Sequence, residues 1–202
     1  AAHSAKAGLK CYAFVLESAP EVKLAQIRLY GTTVMRVKAM EKGKDPTVQM
    51  LLAVVEKYGW YPCPSFGPFN PYQVEGPKTI TYEIVEQLGW QSPDWVMVPT
   101  GSGCLLTGIW KGFKELEKIG LLDGVNTKIH GAQASGSSPI TSALKEGIDW
   151  IKPQKPKTVA KSLAIGNPAD GHYALKTIRE SGGWGEDVTD EEVIQGMKLL
   201  AQ

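Results

Sequence analysis

Along almost its whole length the chain alternates short apolar or β-branched runs with longer stretches of helical periodicity. This alternation restricts the fold more than any other feature. "KCYAFVL" (10–16), "TTVMRV" (32–37), "DWVMVP" (94–99) and "KIHGAQAS" (128–135) read as strands. "APEVKLAQIRLYG" (19–31), "DPTVQMLLAVVEKYG" (45–59), "VEGPKTITYEIVEQLG" (74–89), "LLTGIWKGFKELEKIGLL" (105–122), "SPITSALKEG" (138–147) and "GHYALKTIRESGG" (171–183) read as helices. Strands joined through helices need crossover connections, and crossovers make parallel sheets. The expected architecture is α/β: mostly parallel twisted sheets with helices on both faces, three αβα layers, in two lobes.

Local signals sharpen several elements. Asp45 precedes Pro46 at a first helical position, and Gly59 follows as a stop. Ile80, Ile84, Val85 and Leu88 supply one apolar helix face. The nearly unbroken apolar run of "DWVMVP" predicts burial on both sheet faces. "WYPCPSF" (60–66) is a poorer strand, because Pro62 and Pro64 restrict it to an edge. "GPFNP" (67–71) is a turn and the candidate boundary, giving a smaller lobe over 1–68 and a larger one over 69–202. "AAHSAKAGLK" suits a packed helix stopped at Gly8 but has no cap before Ala1. "TDEEVIQGMKLLAQ" starts well at Thr189 or Asp190 and lacks a stop. Both ends read as cut through elements, so the expectation is an internal portion of a longer polypeptide.

Composition excludes more than it assigns. Lys plus Arg is 22 and Asp plus Glu 21, a net charge of +1, with no basic block to track nucleic acid. "KPQKPKTVAK" (152–161), the densest basic stretch, reads as a solvated loop. Cys11, Cys63 and Cys104 are widely spaced and odd in number, which speaks against a disulfide framework or zinc site and for a cytoplasmic setting. No apolar run reaches the length of a membrane span.

The chemistry-bearing feature is "VPTGSGCLLTG" (98–108). A strand end turning through Gly101-Ser102-Gly103 into a helix leaves backbone N–H groups without partners, and the helix dipole adds to them. In a parallel sheet, ligands gather at the carboxyl ends of strands, where this corner lies. The Walker pattern fails because no Gly-Lys-Ser/Thr follows. The dinucleotide fingerprint fails because Leu106 stands at its third glycine and Gln133 where an acidic ribose partner belongs. A lone phosphate monoester fits better than a pyrophosphate, and a plain tight turn is the competing reading.

"AGLKCYAFVLESAPEVKLAQIRLYGTTVMRV", "NPYQVEGPKTITYEIVEQLGW", "PDWVMVPTGSGCLLTGIWKGFKELEKIGLLD" and "AIGNPADG" together resemble the threonine synthases. These are pyridoxal-phosphate enzymes of the tryptophan-synthase-β-like fold (fold type II), and the resemblance spans essentially the whole chain. It implies the cofactor pyridoxal 5'-phosphate, held by the main-chain amides of Gly101, Ser102, Gly103, Cys104 and Leu105. Ser102, Cys104 and Leu105 depart from a common Gly-Asn-x-Gly-Asn pattern. It further implies a lyase that eliminates phosphate from O-phospho-L-homoserine and adds water to give L-threonine. The substrate is then a small amino acid, and the assembly a homodimer. The Schiff-base lysine and its Ser-Gly-Asn loop would precede Ala1, the pyridine-contacting Ser or Thr would follow Gln202, and this piece alone would be inactive. Another fold type II enzyme (a threonine or serine dehydratase, or a cysteine synthase) and a non-catalytic phosphate-binding fragment remain the alternatives.

The other reactive side chains have ordinary explanations. Cys104 sits at a helix start without a neighbouring His in sequence. His3, His130 and His172 share no metal-ligand spacing. Glu75 and Lys78 either face the cleft or match a helix dipole, and Asn167 in "IGNP" either lines the cleft or serves a turn. Lys111 reads as a solvated charge.

Overall fold

The computed structural model describes residues 1–38 and 45–202. The chain divides into two compact units, residues 1–62 and 63–202.

The first unit runs α1 (Ala2–Lys6), β1 (Tyr12–Leu16), α2 (Glu21–Leu29), β2 (Thr33–Val37) and α3 (Pro46–Tyr58). β1 and β2 pair in parallel, with Tyr12 opposite Thr33 and Leu16 opposite Val37. α3 forms where its caps direct: Asp45 accepts from the Thr47 amide at 2.8 Å, Pro46 opens the first turn, and Gly59 closes it at φ 64°. α1 departs from the packed helix expected of it. None of its five residues is buried, since so short and alanine-rich a segment presents little apolar surface. "WYPCPSF" also departs: residues 60–66 join no ladder, because Pro62 and Pro64 carry no N–H to donate.

The second unit runs α4 (Glu75–Gln87), β3 (Trp95–Pro99), α5 (Cys104–Lys118), β4 (Lys128–Ala134), α6 (Pro139–Glu146), α7 (Gly171–Glu180), β5 (Gly185–Val188) and α8 (Asp190–Leu200). Its strands lie in the order β3-β4-β5, all parallel, with Val98 opposite Gly131 and Gly131 opposite Gly185. β5 has no sequence counterpart among the expected strands. It is four residues long with two carboxylates, and pairing to β4 is what makes it a strand.

Gly131 and Gly185 share one face. A Cβ on Gly131 would meet Ile178 of α7 and Leu106 of α5, and one on Gly185 would meet Leu144 and Thr141 of α6. The core fills this side with Leu106, Ile109, Phe113, Ile129, Ile140, Leu175 and Ile178. β3 alternates where a doubly buried strand was expected: Val98 is buried, while Trp95 and Met97 are 44% and 71% exposed. Beside them His130 is buried against the Trp95 and Trp184 rings, which also meet edge to face, and its Nδ1 accepts from the Trp184 amide at 3.0 Å.

α4 turns inward a face that only partly matches its aliphatic residues: of the expected four, Val85 is buried and Ile84 half-buried. Thr81 and Val85 are buried, whereas Ile80 and Leu88 are exposed. The reason lies on α5, where Gly108 and Gly112 bring the two backbones together against Pro77, Lys78 and Thr81. At that approach a threonine fits and an isoleucine does not, and the Thr81 hydroxyl donates to the Ile109 carbonyl at 2.9 Å.

Candidate functional site

At the carboxyl end of β3 the ladder stops in an ordered way. The Thr100 amide donates to the Ala132 carbonyl at 2.8 Å, and its hydroxyl to the Val98 carbonyl at 2.7 Å. Gln133 then fixes the corner from the neighbouring strand. Its Nε2 donates to the Thr100 carbonyl at 3.2 Å, while its Oε1 accepts from the Ile140 and Thr141 amides at 2.8 and 3.1 Å. One buried amide thus ties the end of β3 to the start of α6.

Residues 101–103 bend away and α5 begins at Cys104, with Gly103 as its cap at φ 97°. Among the described residues the amides of Gly101, Ser102, Gly103, Leu105 and Leu106 meet no protein acceptor. The Cys104 amide donates to the Ser102 hydroxyl at 3.4 Å. Gly101 and Ser102 are half-buried, Gly103 and Cys104 are buried, and Leu105 is exposed. The first turn of α5 carries no acidic side chain. Such a cluster of unsatisfied donors at a fifteen-residue helix start suits a single phosphoryl group.

At Gly103 the fold itself requires glycine. A Cβ on Gly103 would lie 2.8 Å from the Ala174 Cβ and 3.1 Å from the Asp170 carbonyl. The missing side chain therefore lets the start of α7 pack beneath the loop, and the positive φ sets the loop's turn.

Beneath the loop lies Asp170, 3% exposed. Its Oδ1 accepts from the Gly67 amide at 2.9 Å, and its Oδ2 is buried without a partner. Burial pushes this carboxyl up from its ordinary value, and the Gly67 hydrogen bond only partly opposes that. Cys104 is buried as well. Loss of water, then the nearby Asp170, raise its thiol to about 11, so it is a neutral packing group and no nucleophile.

Glu75, Lys78, Lys111 and Glu115 form one network between α4 and α5. Lys78 bridges Glu75 and, at 2.7 Å, Glu115; Lys111 bridges Glu115 and, at 2.7 Å, Glu75. The Tyr82 hydroxyl donates to Glu115 at 2.8 Å. Hydrogen bonds from the two lysines hold the Glu115 carboxyl down near 2, and the carboxylates raise both ammonium groups. Lys111 is thus ion-paired, not the solvated charge its helix position suggests. Asn167 is exposed, and the described residues bring no group of His, Cys, Asp or Glu together as metal ligands. In the sequence Gln133 stands out only as a missing ribose partner, and Asp170 is not singled out. A polar residue inside a strand and an Asp before a helix are common, and only their distant partners distinguish them.

The family model described as pyridoxal-phosphate dependent enzyme matches residues 1–202. This chain belongs to that family. It is 41% identical to threonine synthase from Methanocaldococcus jannaschii and 38% identical to threonine synthase from Methanosarcina acetivorans. All of this chain aligns in both cases, with 49% of each relative, so it spans about half their length. The serine racemase of Dictyostelium discoideum superposes with a TM-score of 0.75 at 27% identity, over 98% of this chain and 58% of that one. A fungal L-serine ammonia-lyase from Rhizomucor miehei gives 0.78 at 20% identity, over 98% and 58%, a likeness of fold. Pyridoxal phosphate is the family's cofactor. No described helix is long and apolar enough to cross a membrane.

Proposed function

We propose that this chain is part of a threonine synthase, which takes O-phospho-L-homoserine and water to L-threonine and phosphate. The amides of Gly101, Ser102, Gly103, Cys104 and Leu105 hold the phosphate of pyridoxal 5'-phosphate. The observation that carries the reading is the set of amides without acceptors at Gly101, Ser102, Gly103 and Leu105, at the strand end where relatives named threonine synthase align along the whole chain.

When bound, the cofactor supplies an electron sink for carbanion chemistry. The chain's own residues supply placement. The amides would hold the phosphate, the dipole of α5 would offset part of its charge, and Gln133 ties the end of β3, where the loop begins, to β4. No lysine of this chain forms the bond to the cofactor in this reading. Lys78 and Lys111, on α4 and α5, are held as ammonium ions by their carboxylate partners, the opposite of an activated amine. The free cysteines accord with a cytoplasmic location, and the family resemblance with a homodimer.

Release of inorganic phosphate from O-phospho-L-homoserine, with threonine as co-product, by the complete polypeptide carrying this sequence is the expected result. Turnover of serine or threonine to an oxoacid, with none on phosphohomoserine, overturns the substrate assignment and leaves the cofactor assignment standing.

A further inference from the structure

Asp170 sits where a carboxylate is least welcome. Two helix starts meet there: Gly103, the cap of α5, packs on the backbone of Asp170, which precedes α7. Asp170 stands at the N-cap of α7, but its side chain makes no capping hydrogen bond. Its carboxyl turns instead to the Gly67 amide, 103 residues away in sequence, and that turn closes on it because Gly67 has no Cβ, which would stand 2.6 Å from Oδ1. The Gly67 amide of the 66–70 turn is its hydrogen-bond partner, and the Cys104 thiol of α5 is near enough to feel its charge. No charged side chain among the described residues contributes to its titration. A buried carboxylate with one hydrogen bond and one orphaned oxygen is costly, and neutralisation is the ordinary remedy.

We propose that Asp170 takes up a proton from solvent when a dianionic phosphoryl group settles on the 101–105 amides, so that anion binding and proton uptake are coupled at this corner. This inference rests on the phosphate-cradle reading. The proton adds to Oδ2, since Oδ1 is already engaged with Gly67. An anion close to the loop penalises a second negative charge beneath it, so anion binding moves the carboxyl's midpoint further up. By linkage the effect is reciprocal: ionising Asp170 weakens the grip on the anion. Cys104 stays a neutral thiol throughout, with its midpoint near 11. Asp170 is therefore a positioning residue that tunes the cradle's charge without touching the ligand.

Sulfate is the suitable probe, because it is a tetrahedral dianion with no proton of its own to exchange near neutrality. Sulfate is titrated into the full chain while the amide resonances of Gly101 and Gly103 are followed, from about pH 4.5 to about pH 8. The expected result is shifts at both glycines, with affinity about tenfold weaker at the high end, one pH unit of carboxyl midpoint per tenfold. Asp170→Asn keeps an acceptor for Gly67 and is expected to bind sulfate equally at every pH. Glycine shifts with a pH-independent affinity in the wild type overturn the coupling and leave the cradle standing, and that series needs no variant. Resonances at 101 and 103 unmoved at any pH overturn both readings.

Discussion

Gly103→Ala separates the loop's backbone geometry from its hydrogen-bond donors, since alanine keeps the same N–H. The cost has two parts. An alanine held at φ 97° is strained by about 1–2 kcal/mol. Its Cβ, 2.8 Å from the Ala174 Cβ and 3.1 Å from the Asp170 carbonyl, forces α7 or the loop to move, an overpacking cost of about 1–3 kcal/mol. Stiffening of the unfolded chain returns about 0.4–1 kcal/mol. The net expectation is destabilisation of about 1–5 kcal/mol. Gly101→Ala is the matched control: its φ is unexceptional, and its Cβ would meet the movable end of Ile165 at 3.1 Å, so the change is expected to stay within about 1 kcal/mol. Urea unfolding followed by tryptophan fluorescence gives both values, and equilibrium dialysis with pyridoxal phosphate gives the binding loss. If the loop is a donor cradle shaped by Gly103, the 103 variant loses both stability and cofactor affinity, and the 101 variant loses little of either. Equal stability of the two variants refutes the argument that a positive φ and a close α7 dictate glycine at 103.

Two further outcomes test the neighbouring architecture. Gly112→Ala places a Cβ 2.7 Å from Thr81 and 2.8 Å from the Lys78 carbonyl. It is expected to destabilise by about 1–2 kcal/mol although alanine is the better helix former by about 1 kcal/mol. Gly196→Ala on α8, with nothing within 4 Å of the new methyl, is expected to stabilise by about 0.5–1 kcal/mol; thermal melts of the pair read opposite signs. Glu115 is favoured as the ion in the folded protein, so its contribution is complete above the ordinary carboxylate range and is lost as pH falls toward about 2. Glu115→Gln is expected to flatten the acid side of the stability profile in low-pH urea titrations, and an unchanged acid limb contradicts the network's role.

What the sequence by itself determined was local and periodic. α3 lies between Asp45 and Gly59 because a cap, a proline and a left-handed stop act over a few residues. α8 starts at the capping box of Thr189 and Glu192 for the same reason. The alternation of strand and helix implied parallel sheets, and the Gly-Ser-Gly corner was legible as a row of free amides because helix starts expose them wherever they occur. Tertiary structure decided whatever depends on partners far along the chain. β5 is a strand because β4 lies beside it. α4 buries Thr81 rather than Ile80 because Gly108 and Gly112 bring α5 close, and β3 buries Val98 while leaving Met97 exposed. Gln133 and Asp170 gain their meaning only from Thr100, Ile140 and Gly67, since a polar side chain's cost or worth is fixed by the partners the fold delivers.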